Sequence, residues 1–381
     1  MKNVFILLLI YMFAITNANA ETKIELGIAG DTYFVTDNVQ SLYLGERRFT
    51  NTNVYKYKFG TNNVLVTASA KSDDWKVNVA VATFGQSIQP EEANIGINII
   101  EGLWIKGGVF AIWDDDYTYN KWFAGNSLTD LRNMGSPYVG WGLEYTFTDD
   151  ITLDAGLMNT GFFNSFNKYG IGNVNDDPNF DKTIYAKLDW NNLYKDWGLV
   201  LSCVTGKEGK FSVINAYGTF VGDLTWMTEI YASLSGTLTD KLEAKISGKF
   251  FKDNIKWEEQ TDAVNMLTFQ ALLRYRFNEK FAAGIRFSYL VEEENGNILG
   301  TGPEPYPSFY GDSYGIDFGI VCEYNPTPFT YLRLEGDILN ISNFSNVPID
   351  RFYNGTKGVS SRLSAAISMG FKLNLFEKEI K

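Results

Sequence analysis

The chain of 381 residues contains no histidine and only two cysteines. Without an imidazole there is no Ser-His-Asp, Cys-His or Asp-His catalysis and no His-ligated zinc or iron, which excludes most hydrolase mechanisms. Two cysteines make neither a disulfide framework nor a four-thiolate metal site. Long apolar runs are missing as well. Beyond the N-terminus no stretch approaches the roughly 18 uncharged apolar residues of a transmembrane helix, so a helical spanning protein is excluded. Positive charge is in deficit, 33 Lys+Arg against 45 Asp+Glu, a formal charge of −12. A nucleic-acid binder needs a basic surface to neutralise phosphates, so that class also falls away.

What is present begins with a targeting segment. Lys2 forms a short positive region, Val4 to Ile15 an apolar run, and Ala18-Asn19-Ala20 a small-x-small cleavage pattern. Residues 1–20 therefore read as a secretory signal cut after Ala20, since the apolar run is shorter than the ~20 residues of a membrane anchor. The mature chain, residues 21–381, is expected to form a single domain outside the cytoplasm. At 45% apolar and 15% aromatic residues the full chain is too hydrophobic for disorder.

Period-two alternation fills the rest, in segments of about ten residues closed by Asp, Asn, Gly and Lys. Leu242, Ala244, Ile246, Gly248 and Phe250 alternate with Glu243, Lys245, Ser247 and Lys249. Leu267, Phe269, Ala271, Leu273 and Tyr275 oppose Thr268, Gln270, Arg274 and Arg276, and Ile316, Phe318, Ile320 and Cys322 oppose Asp317 and Glu323. Either a soluble barrel or sandwich or a membrane barrel carries such a pattern. The connections decide. Tight turns at Ser72-Asp73-Asp74, Glu101-Gly102, Thr148-Asp149-Asp150, Asn278-Glu279-Lys280 and Asn325-Pro326-Thr327-Pro328 tend to alternate with longer polar stretches at Val35 to Thr52, Asp114 to Pro137, Phe162 to Asp181, Asp253 to Asp262, Glu292 to Asp312 and Ile341 to Gly358. Short turns on one side and long loops on the other mark an outer-membrane barrel.

Seventeen segments can be marked, starting at Ile24, Asn53, Trp75, Ala93, Leu103, Tyr138, Ile151, Lys182, Trp197, Phe211, Leu224, Lys241, Val264, Phe281, Ser313, Phe329 and Val359. Single-chain bacterial barrels have even counts, and the short-long rhythm loses phase between Phe211 and Lys241. The expectation is an all-β, antiparallel up-and-down transmembrane barrel of sixteen strands, with fourteen and eighteen as neighbouring counts. Ser368 to Leu375 has the polar-x-Gly-x-x-apolar-x-apolar form of a final-strand signal for the outer-membrane barrel assembly machinery, followed by a charged tail, Glu377 to Lys381.

The segments "VNVAVATFGQ", "GLWIKGGVFAIW", "LRNMGSPYVGWGLEYTFTDD", "LDAGLMNTGFF" and "LLRYRFNEKFAAGIRFSYL" resemble the β-barrel porin-2 (OmpL-like) family of bacterial outer-membrane proteins, most specifically over Leu103 to Gly161. The resemblance implies a pore-forming barrel and brings no catalytic motif.

With Leu, Ile and Phe facing lipid, the alternate positions turn Lys106, Lys187, Lys245, Lys249, Arg274, Arg276, Arg286, Arg333, Arg362 and Lys372 towards the lumen. Glu144, Asp154, Glu229, Glu243, Asp317, Glu323, Glu335 and Asp337 point the same way. A wall of both signs is accommodated naturally by a water-filled interior, because dry burial of ions is costly, the alternative being a barrel plugged by side-chain networks. The charges lie either in adjoining basic and acidic sectors that set up a field or in cross-strand pairs that neutralise the wall.

Asp114, Asp115, Asp116, Tyr117, Tyr119, Trp122 and Phe123 form the candidate constriction loop, against the alternative of a compact outward loop with its own small core. Cys203 and Cys322 fall on the apolar register, and Trp75, Trp104, Trp113, Trp190, Trp197, Trp226 and Tyr324 are placed in the interfacial girdles. No metal or cofactor site is expected. The reading is an outer-membrane porin passing small hydrophilic solutes and ions, not an enzyme, with lipid as its surroundings and homo-oligomerisation as a general porin habit. The alternative is a non-conducting barrel whose loops serve adhesion or envelope structure.

Overall fold

The computed structural model describes residues 22–37, 57–84, 87–110, 138–158, 183–206, 209–215, 218–257, 260–293, 313–341 and 361–380. The signal segment, residues 111–137 with the candidate constriction loop and Trp113, and the side chain of Arg362 lie outside this description. The described residues form β1 (Thr22–Asp37), β2 (Tyr57–Lys71), β3 (Trp75–Phe84), β4 (Ser87–Ile100), β5 (Leu103–Phe110), β6 (Tyr138–Thr148), β7 (Ile151–Met158), β8 (Thr183–Tyr194), β9 (Trp197–Gly206), β10 (Gly209–Asn215), β11 (Gly218–Thr239), β12 (Leu242–Trp257), β13 (Gln260–Arg276), β14 (Phe281–Glu293), β15 (Ser313–Thr327), β16 (Thr330–Ile341) and β17 (Ser361–Ile380).

Each strand pairs antiparallel with its neighbours in the chain, and β1 pairs with both β2 and β17, which closes the sheet. Seventeen stretches make sixteen barrel strands. β9 meets β11 at Gly206↔Met227, and β10 meets the same β11 at Gly209↔Leu224, in one unbroken register. β9 and β10 are two parts of a single strand. The Gly206-Lys207-Glu208-Gly209 stretch between them reads as a turn in sequence, which is why one strand is marked as two segments, from Trp197 and from Phe211.

The faces are inverted relative to a soluble sheet. On β15, Ile316, Phe318 and Ile320 are 38–51% exposed, whereas Asp317 and Glu323 on the opposite face are 1% and 6% exposed. The same inversion holds on β6, β13, β14 and β16. So continuous an apolar outer belt far exceeds the few hundred Å² that a water-soluble surface tolerates, and it requires lipid.

The short turns rest on local side-chain hydrogen bonds. Ser72 Oγ accepts from the backbone N–H of Asp74 and Trp75 (both 3.3 Å), and Asn278 Oδ1 accepts from Lys280 (2.9 Å) and Phe281 (3.0 Å). Thr239 Oγ1 does the same for Lys241 and Leu242. Ser, Thr and Asn initiate such turns because the side-chain oxygen substitutes for a backbone acceptor. Gly102, at φ +78°, supplies the left-handed residue of the β4–β5 turn.

Two expectations need correction. Asp253 to Asp262 is not a long loop: β12 and β13 continue through it, paired to Trp257↔Gln260. Above the apolar belt both faces of a strand meet water, so alternation fades while backbone pairing persists. Trp104 is not in the outer girdle. It shares the inward register of Lys106, is 7% exposed, and lies 4.7 Å from the Lys76 ammonium and 5.7 Å from that of Lys71, a cation–π arrangement. The charged tail belongs to the sheet, since β17 stays paired with β1 as far as Thr22↔Ile380.

Candidate functional site: the inner wall

Two ion-pair networks occupy the inward face. The first spans β3 to β8. One register row runs Lys76, Gly96, Lys106, Gly142, Gly156, Tyr185, and the next runs Asn98, Trp104, Glu144, Asp154, Lys187. Glycine at every gap in the first row leaves room for long side chains to lie flat. Lys76 extends over Gly96, where a Cβ would sit 2.9 Å from the lysine chain, and reaches Glu144. Tyr185 covers Gly156 and Gly142, and its hydroxyl donates to Asp154 Oδ1 at 2.9 Å. Lys106 is held between Glu144 (3.0 Å) and Asp154. Gly108, at φ +132°, admits no side chain because a Cβ would run into the backbone of β4.

The second network spans β11 to β16 and uses the same device. Arg274 on β13 passes Gly284 of β14 to reach Glu323 on β15, and also binds Glu243 on β12 at 2.9 Å. Arg286 on β14 contacts Asp317 (3.2 Å) on β15 and passes Gly319 to reach Asp337 (2.7 Å) on β16. Arg333 donates to Glu323 at 2.7 Å and stacks 4.0 Å over Tyr331, while Arg276 joins Glu243 and Lys249 joins Glu229 at 3.2 Å. The basic segments β12–β14 and the acidic segments β15–β16 are therefore interlocked by these pairs, the neutralising arrangement of the two that the sequence left open.

Among the remaining inward positions, Lys245 is half-buried, Glu335 is 2% exposed, and Lys187 pairs with Asp189 at 3.2 Å. Lys372 stands exposed on β17 in register with the inward Ala29. Cys203 and Cys322 lie on the outer face as free thiols on well-separated strands. The inward residues that sequence reasoning passed over are Lys76, Asn78, Glu92, Asn94 and Tyr185. Their signal was available in the alternating glycines of "GWGLE" and "DAGLM", which mark inward positions vacated for a neighbour's side chain.

A closed ring of sixteen strands with an apolar exterior and a charged interior defines an outer-membrane β-barrel of the porin class. The family model described as "Putative beta-barrel porin-2, OmpL-like" matches residues 31–373, and the chain belongs to that family. Its fold is similar to that of in-vitro folded OmpT of Vibrio cholerae in its trimer form (12% identity, TM-score 0.58, covering 92% of this chain and 99% of that one). It is also similar to an anion-selective porin from Comamonas acidovorans (11%, 0.56, 93% and 100%) and to OprB of Pseudomonas putida (12%, 0.55, 93% and 94%). At such identities the likeness concerns the fold. A search of curated proteins finds no match.

Proposed function

We propose that the barrel is a passive diffusion channel for small hydrophilic solutes and ions, delivered to the outer membrane after loss of residues 1–20. The observation that carries this reading is the ion-rich inward face within a ring of sixteen strands, the size at which barrels enclose an aqueous channel. The charges on β5–β8 and β11–β17 then line the pore, and segment 114–123 is the candidate constriction. Catalysis has no part in this reading, and self-association is in keeping with the trimer form of OmpT of Vibrio cholerae. The test is single-channel recording of the refolded, signal-free protein in a planar bilayer under a KCl gradient. Discrete open steps are expected. A protein shown to be folded and inserted that gives no steps would refute the channel and shift the role to the surface loops.

A further inference from the structure

Beside the glycine row of β4–β7 lies a cavity of about 100 Å³ whose lining includes Asn78, Glu92, Asn94, Phe110, Tyr185 and Lys187. At the ~30 Å³ that one water takes up in the liquid, it has room for about three waters, the space of a few adjacent hydroxyl groups. We infer that this recess is a wall subsite that seats a few adjacent hydroxyl groups, one edge of a neutral polyhydroxylated solute such as a monosaccharide. The inference rests on the channel reading above.

The charges in the recess decide against an ionic ligand. Lys106 is already clasped by Glu144 and Asp154, and Lys187 by Asp189, so an anion would have to displace a carboxylate from each. The same two ammonium groups repel a cation. Hydrogen-bonding capacity remains for hydroxyls. Glu92 Oε1 accepts from Asn94 Nδ2 at 2.7 Å, and Asn78 Nδ2 donates to Asn94 Oδ1 at 3.3 Å. A carboxylate with a second oxygen beside two side-chain amides offers both acceptors and donors, which is what adjacent hydroxyl groups of one ligand require. Phe110 and Tyr185 form the floor of the recess and are themselves buried, with the Lys106 ammonium 5.5 Å over the Phe110 ring, so the lining offered to a ligand is polar. A molecule with neighbouring hydroxyls on its rim matches this arrangement.

The test adds D-glucose to single channels in KCl and follows the open-channel current. A saturable, concentration-dependent reduction is expected, with affinity about tenfold weaker in the double variant Asn78→Leu, Glu92→Gln, from two lost hydrogen bonds of modest net worth. A conducting channel that glucose does not affect, or one affected equally in the double variant, would overturn the subsite and leave the channel standing. Calorimetric titration of the folded barrel with D-glucose separates the two readings. Binding without conductance overturns the channel and supports the recess.

Discussion

Replacing Arg286 with Met should destabilise the barrel by about 3–5 kcal/mol, the cost of removing one partner from a buried ion cluster. Arg286, Asp317 and Asp337 have side chains only 2%, 2% and 1% exposed, with guanidinium contacts of 3.2 and 2.7 Å. At an effective dielectric near 20, a pair at ~4 Å is worth roughly 4 kcal/mol, and desolvating the ions offsets most of that. The net value of the triad is small, but its parts are not separable. Without the guanidinium, two buried carboxylates on neighbouring strands each lose a cationic contact. Removing all three charges together, as Arg286→Met, Asp317→Asn, Asp337→Asn, should therefore cost only about 0–2 kcal/mol. Urea unfolding of the barrel in lipid vesicles, followed by tryptophan fluorescence, measures both variants. A loss below about 1 kcal/mol for the single substitution, or a triple variant as unstable as the single one, would show that water already screens the cluster and would refute the reasoning.

Three further outcomes are expected. Changing Arg274, Arg276 and Arg286 together to Gln removes three positive charges from beside Glu243, Glu323, Asp317 and Asp337, so the reversal potential in a KCl gradient should move towards cation preference; unchanged selectivity would remove these groups from the conducting path. Gly156→Ala should lower the refolding yield well below that of Gly142→Ala. A Cβ at Gly156 meets the backbone of β6, with Gly142 Cα at 2.6 Å, whereas one at Gly142 first meets the Tyr185 hydroxyl, the end of a side chain that can swing away at the expense of its bond to Asp154. In the β8–β9 turn the Thr237 hydroxyl holds the Asp196 carboxyl below its usual range. A depressed folded value contributes stability above the unfolded pKa of ~3.9, and that contribution is lost as pH falls through the folded value. Thr237→Val should raise the Asp196 titration, followed by NMR in micelles, towards ~3.9; no movement would exclude the hydroxyl as the cause.

The sequence made the strand register legible almost everywhere because lipid imposes a strict rule on one face. Every second residue from Ile316 to Cys322 or from Leu267 to Tyr275 is apolar, and a one-residue slip would place Asp317 or Arg274 in hydrocarbon. The rule lapses where lipid ends. Hence Asp253 to Asp262 read as loop although it is paired, and the strand containing β9 and β10 read as two. Inward partnerships were harder to see. Alternation places Arg274 on the inner face but says nothing of Glu323 two strands away, which it reaches only because the intervening position is Gly284. Such contacts depend on which residues align across three strands, information that no single segment contains.

The seam between β1 and β17 joins residues some 340 positions apart, as at Lys23↔Glu379 and Thr36↔Ala365. Closure of a loop that long is entropically expensive and slow. Until β17 arrives, β1 and β16 present open edges able to pair with any other chain. The topology thus makes completion of the ring a late event, and it favours delivery of the chain as an unfolded, guarded precursor over growth strand by strand into the bilayer.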